Sequence, residues 1–151
     1  MNMWDELAFR PAEKRDLPMI LAQSEALIRQ YEDLTAIDID KVLAWMAKKT
    51  EQNLAEYTCV MLGADTVGVY RLAAGDNGTE LDDFYILPRF RGRGIGTALL
   101  EKLTREVQGP LFLYVFNENR GAIRLYERFG FRKSETVSAT RCILRRMAVP
   151  G

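Results

Sequence analysis

Apolar positions along this chain come in two arrangements, short continuous runs and spacings of three to four residues, and these alternate. Leu7 to Ala12 predicts a short strand. A helix to about Tyr31 follows, with Leu17, Ile20, Leu21, Leu27, Ile28 and Tyr31 near one face, Asp16 at its cap and Pro18 in its first turn. Beyond a polar connection, Glu32 to Asp40, the spacing of Ile39, Val42, Leu43 and Met46 predicts a second helix, capped by Asp38 or Asp40. Tyr57–Leu62 and Thr66–Leu72 read as strands around a Gly63-Ala64-Asp65 turn, and Gly75-Asp76-Asn77-Gly78 turns into a third strand, Thr79 to Leu87.

Pro88 lacks a ladder donor and ends that strand. Apolar residues at 95, 99, 103 and 107, with Ala98 beside them, mark one face of a helix that stops near Gly109-Pro110. Leu111 to Phe116 (L-F-L-Y-V-F) is apolar without alternation, which predicts a parallel strand buried on both faces. A helix carrying Ala122, Leu125, Tyr126 and Phe129 ends at Gly130, and Phe131–Val137 and Thr140–Met147 close the chain as two strands. The order predicts an α/β fold with a mixed sheet. An antiparallel meander leads into a right-handed parallel β-α-β unit with helices on both faces, all in a single domain over residues 1–151.

Composition narrows the function classes. Lys plus Arg and Asp plus Glu are 21 each, so the net charge is zero, which argues against a protein that mainly grips nucleic acid. With no run of 18 apolar residues and no N-terminal signal pattern, the expected location is cytoplasmic, with no membrane partner. Cys59 and Cys142 sit in apolar strand-like surroundings, as reduced buried thiols do. The chain has no histidine, which removes Ser-His-Asp and Cys-His chemistry and His-containing zinc sites.

The most informative stretch is Ile86 to Leu100, in which a strand runs through the glycine-rich, doubly basic turn Arg91-Gly92-Arg93-Gly94-Ile95-Gly96 into a helix. A helix N-terminus presents unpaired N–H groups and a positive dipole end, and Arg91 and Arg93 add forks suited to phosphate. Glycines at 92, 94 and 96 keep side chains away from those amides. Leu99 stands where a dinucleotide fingerprint needs its third glycine, and no lysine follows as a P-loop requires. The pattern predicts a diphosphate cradle.

Arg91-x-x-Gly94-x-Gly96, preceded by an apolar strand ending in x-x-Pro, resembles the signature of the GCN5-related N-acetyltransferase (GNAT) superfamily. Asn119, Ala122, Tyr126 and Gly130-Phe131 match that family's second motif, so the resemblance covers nearly everything after residue 57. It implies a fold in which the strands before the glycine loop and after its helix splay apart, with acetyl-coenzyme A in the gap. The resemblance then places cofactor contacts at Tyr85, Ile86, Leu87, Arg91, Gly92, Arg93, Gly94, Ile95, Gly96, Thr97, Asn119 and Tyr126, a backbone N–H near residues 85 to 87 polarising the thioester. It makes Tyr126 the proton donor to the departing sulfur and the strand acids Glu80 or Asp82 the base, either directly or through a water chain. Glu80 and Asp82 share one face of their strand, and Asp83 points the other way unless a bulge intervenes.

The implied activity is acetyl transfer to a primary amine on a small molecule or a peptide, in a chain that is a monomer or a homodimer. Carboxylates on the helix connection, Asp33 among them, together with Glu80 and Asp82, predict a cationic acceptor. Two alternatives stay open: a non-catalytic acyl-CoA-binding module, and a transferase acting on aminoacyl-tRNA.

Overall fold

The computed structural model describes residues 3–147. One sheet holds seven strands in the order β1 (Leu7–Pro11), β2 (Tyr57–Leu62), β3 (Asp65–Gly75), β4 (Gly78–Ile86), β5 (Leu111–Phe116), β7 (Arg141–Arg146) and β6 (Arg132–Thr136). Neighbouring strands run antiparallel except β4 and β5, which are parallel. The helices are α1 (Met3–Glu6, a single turn with no counterpart in the sequence pattern), α2 (Leu17–Tyr31), α3 (Ile39–Gln52), α4 (Ile95–Glu106) and α5 (Arg120–Arg128). No helix among the described residues is long and apolar enough to cross a membrane.

Alternation along the strands divides the core in two. On one face, Ile95, Leu99, Leu100 and Leu103 of α4 and Tyr126 of α5 pack with Val60, Val67, Leu81, Leu113 and Val115 of the sheet. On the other, Ile20 of α2 packs with Tyr57, Cys59 and Val69, with Tyr85 alongside. Burial of Ile20, Ser24 and Ile28, four residues apart, follows from the stripe read in the sequence.

Three expectations need correction. Leu111, Leu113 and Val115 are buried, but Phe112 and Phe116 are only half-buried and Tyr114 is 46 % exposed. On the second face of β5, α2 reaches only the end of the strand, where Tyr31 stacks on Phe116 at 5.8 Å, and Tyr114 is left open. Asp16 precedes α2 without capping it. Its carboxylate takes two hydrogen bonds from Arg10 (2.8 and 2.9 Å) and one from the Glu13 N–H (2.8 Å). At α3 the cap is Asp38, which accepts from the Lys41 N–H. Finally, Phe131 is core under α5, and the strand begins after it at Arg132.

A bulge sits at the centre of β4. The β3–β4 register runs Arg71↔Asp82 and then Val69↔Tyr85, so Asp83 and Phe84 together oppose Tyr70. Asp83 has φ +48°, the single positive φ among the described non-glycine residues. The extra residue changes which face every later side chain takes. Asp82 and Asp83 therefore both point toward α3, where Lys49 reaches them at 2.8 and 3.8 Å.

Candidate active site

The parallel pairing of β4 and β5 covers only Thr79↔Leu111 and Glu80↔Phe112. Past it, β4 continues to Ile86 and β5 to Phe116 without pairing to each other, while β5 stays paired with β7 along its length. The two strands thus splay, as the resemblance implies. Leu87 N–H donates to Val67 O, which places residues 85 and 87 in the β3 ladder. By alternation the backbone groups of Phe84 and Ile86 face the gap. Of Tyr85, Ile86 and Leu87, Ile86 is the one with an N–H free to meet a ligand there.

The glycine loop closes the open end of the gap. Gly92 and Gly94 have φ +78° and +81°, conformations that side-chain-bearing residues resist. Gly94 is the N-cap of α4 and its carbonyl accepts the first intrahelical bond, from Ala98, so the N–H groups of Ile95, Gly96 and Thr97 have no helical partner. A Cβ on Gly92 or Gly94 meets no atom within 4 Å, whereas one on Gly96 lies 3.5 Å from Leu125. The first two glycines therefore serve backbone shape, and at the third a Cβ would make ordinary contact with α5.

Arg91 turns its Nε to Ile86 O at 3.0 Å and ties the loop to the strand end. Arg93 lies over the Phe90 ring at 5.5 Å. Arg128 of α5, which the motifs did not single out, donates to the Thr97 hydroxyl at 3.2 Å. With Arg124 one turn earlier it lines an open groove of about 480 Å³ on α5. The signal for it was the i, i+4 pair of arginines on the helix next to the cradle. Asn119 caps α5 by accepting from the Ala122 N–H, and it also accepts from the Tyr31 hydroxyl, both at 3.4 Å.

Tyr126 is buried between Phe84 and Phe131, ring centroids 6.2 and 5.7 Å away. Burial alone pushes its phenol well above the ordinary range, since no hydrogen bond acts on it. The group stays protonated and is an acid, never a base. Phe84, which the bulge turns toward Tyr126, joins phenol and gap.

The carboxylates of β4 separate by environment. Asp82 Oδ2 accepts from Lys49 Nζ (2.8 Å) and Arg71 (2.9 Å), so its lone pairs are committed. Asp83 accepts from the hydroxyls of Tyr57 and Tyr85, the latter at 2.7 Å. Burial would lower the Lys49 ammonium, but Asp83 and Asp82 outweigh it and hold its pKa up. Glu80 has no ion-pair or hydrogen-bond partner among the described residues; burial first, and the nearby Asp82 second, raise its pKa. Between the two base candidates the geometry favours Glu80.

On the helix connection, two of the carboxylates have hydrogen-bond partners of their own. Asp33 binds its own neighbour, Thr35, through N–H (3.0 Å) and hydroxyl (2.6 Å). Glu32 accepts from the Thr140 hydroxyl at 2.5 Å. Burial pushes the Cys59 thiol up to about 11, so it is no nucleophile.

The model of the acetyltransferase (GNAT) family matches residues 12–131. This chain belongs to that family. Among its relatives, an uncharacterized N-acetyltransferase of Methanocaldococcus jannaschii is 38 % identical over 72 residues, 45 % of this chain and 32 % of the relative. The spermine/spermidine N(1)-acetyltransferase of Bacillus subtilis is 39 % identical over 57 residues, 34 % of this chain and 38 % of the relative. The chain thus spans about a third of the length of the curated relatives it matches. The same fold occurs in the PaiA N-acetyltransferase of Thermoplasma acidophilum, solved in complex with coenzyme A. It has TM-score 0.66 and 18 % identity over 93 % of this chain and 98 % of that one.

Proposed function

We propose that this chain transfers an acetyl group from acetyl-CoA to a primary amine, with both substrates held together at the gap between β4 and β5. One observation carries the reading: strand pairing stops after Glu80↔Phe112, and the opening leads to three unpartnered N–H groups at the start of α4. Gap and cradle together fit a diphosphate with a long, strand-like arm, and acetyl-CoA supplies a thioester at the end of such an arm. The N–H groups of Ile95, Gly96 and Thr97, with Arg91, Arg93 and Arg128, hold the phosphates. The Ile86 N–H bonds the arm, and Tyr126 holds a proton for the departing sulfur. Glu80 takes a proton from the acceptor's ammonium and leaves the neutral amine to attack the thioester, its raised pKa suiting it to that work.

For the acceptor we propose a small cationic amine or the amine of a peptide. Glu80 supports it as the β4 carboxylate without an ion pair among the described residues, and so does the name of the Bacillus relative. Asp82 sits instead in a balanced group with Lys49 and Arg71. The test is thiol release from acetyl-CoA with polyamines, aminoglycosides, amino acids, arylamines and peptides. Turnover with a polyamine or basic peptide is expected. Tight coenzyme A binding without thiol release on any amine overturns the reading.

A further inference from the structure

We infer that Asp83, gripped by the hydroxyls of Tyr57 and Tyr85, is a positioning residue that fixes the β4 bulge and so decides which groups face the gap. The inference rests on the acetyl-transfer reading of this site and adds to it a residue that touches neither substrate. Asp83 lies outside the β3 ladder in a left-handed conformation, which aspartate tolerates better than most residues but does not prefer. Something must hold it there, and three groups from three elements do. Tyr57 reaches across β3 from β2, Tyr85 reaches back from two residues further along β4, and Lys49 stands 3.8 Å away on α3. The Tyr85 hydroxyl is also within 3.1 Å of Ser24 on α2, so the bulge is tied to both helices of that face.

The consequence is a matter of parity. Regular β4 without the extra residue would place Asp83 in the core under α4, Phe84 toward α3 and Tyr85 against Tyr126. Backbone direction would change with the side chains, and the N–H groups of Phe84 and Ile86 would turn from the gap into the β3 ladder. With the bulge, Phe84 meets Tyr126 and those two N–H groups face the place where a thioester oxygen develops charge. The Asp83 carboxylate thus acts through backbone geometry rather than by contact with the reacting atoms.

The experiment compares wild type with Asp83→Val, which removes the carboxylate and resists positive φ, Asp83→Asn, which tolerates it, and Tyr57→Phe, which removes one hydroxyl. Carbonyl-¹³C acetyl-CoA is bound to each, and the infrared carbonyl band, coenzyme A affinity and kcat are measured. In wild type the band lies below that of free acetyl-CoA. In Asp83→Val it returns toward the free value and kcat falls roughly 10²-fold, while coenzyme A affinity, set at the glycine loop, holds within about twofold. Asp83→Asn keeps the shifted band and a kcat within about tenfold of wild type. Tyr57→Phe shows the same change as valine in smaller measure, and it carries the test if Asp83→Val does not fold. A carbonyl band and kcat unmoved in folded Asp83→Val or in Tyr57→Phe overturn the inference. Parallel loss of coenzyme A affinity and kcat does so too, because that is damage to the whole fold. A wild type with a shifted band, lost in the variants, but no amine acetylated supports the positioning role and overturns the transfer reading alone.

Discussion

At the scale of single residues the proposed reaction rests on Tyr126 and Glu80, and the environment of each suits it to one direction of proton transfer. The Tyr126 ring is buried and its hydroxyl makes no hydrogen bond among the described residues, so replacing it by hydrogen costs the fold little while removing the proton. Tyr126→Phe should lower kcat roughly 10²-fold with urea stability unchanged; equal kcat in the two proteins, with chemistry rate-limiting, would make the ring a core residue only. Glu80 must be ionised to act, and its pKa is raised by burial and by Asp82. As pH falls, kcat/KM should therefore drop through a value above the ordinary carboxylate range. Glu80→Gln should remove that limb and lower the plateau roughly 10²-fold. A limb that persists in Glu80→Gln would assign the base elsewhere. Both residues stood out in the sequence as candidates, Glu80 level with Asp82. Their surroundings were not legible there, because they include side chains distant along the chain: Phe84 against Tyr126, and Lys49 of α3 near Glu80.

At the scale of elements, joints matter more than the elements themselves. Arg10 on β1 and Asp16 before α2 form a largely buried pair, and Arg10 holds the Asp16 carboxyl down at about 2. A depressed carboxyl stabilises the fold above its unfolded value and loses that contribution as pH falls through the folded one. The shift from 3.8 to about 2 corresponds to about 2 kcal/mol. Asp16→Asn should thus lose about 2 kcal/mol at pH 7, a deficit that shrinks between pH 4 and pH 2. A deficit independent of pH in urea titrations would show that packing, not charge, holds the joint. The strand-to-helix loop was legible element by element, since Gly94 at φ +81° is what the motif requires. Glycine at 68 has a tertiary reason, as a Cβ there would lie 2.7 Å from Tyr85 O. The bulge at Asp83 left no mark on the apolar pattern, because Asp82-Asp83 is polar in either register.

Across the whole molecule, zero net charge conceals a division. Arg91, Arg93, Arg124 and Arg128 gather at the glycine loop and α5, while Glu80, Asp82 and Asp83 lie along β4. Coenzyme A should therefore stabilise the protein against urea by about 2.7 kcal/mol at a hundred times its Kd. Added salt should weaken this by screening the arginines. Gly94→Glu, which puts a carboxylate and a strained φ into the cradle, should abolish it. The same stabilisation in folded Gly94→Glu would place the ligand elsewhere.

What the sequence by itself determined is local. Period and punctuation marked the strands, the main helices and the β-α-β order, and two motifs named the cradle residues and Tyr126, because caps, turns and glycine conformations depend on neighbours in the chain. Tertiary structure decided the rest. It opened the gap after Glu80↔Phe112, bound Asp82 to Lys49 and Arg71, left Glu80 unpaired, and turned Asp33 to Thr35. It also left one face of β5 only partly covered, with Tyr114 exposed, although L-F-L-Y-V-F reads as buried on both sides. An apolar strand records which residues are able to be buried; whether a helix reaches over them depends on where the other elements end.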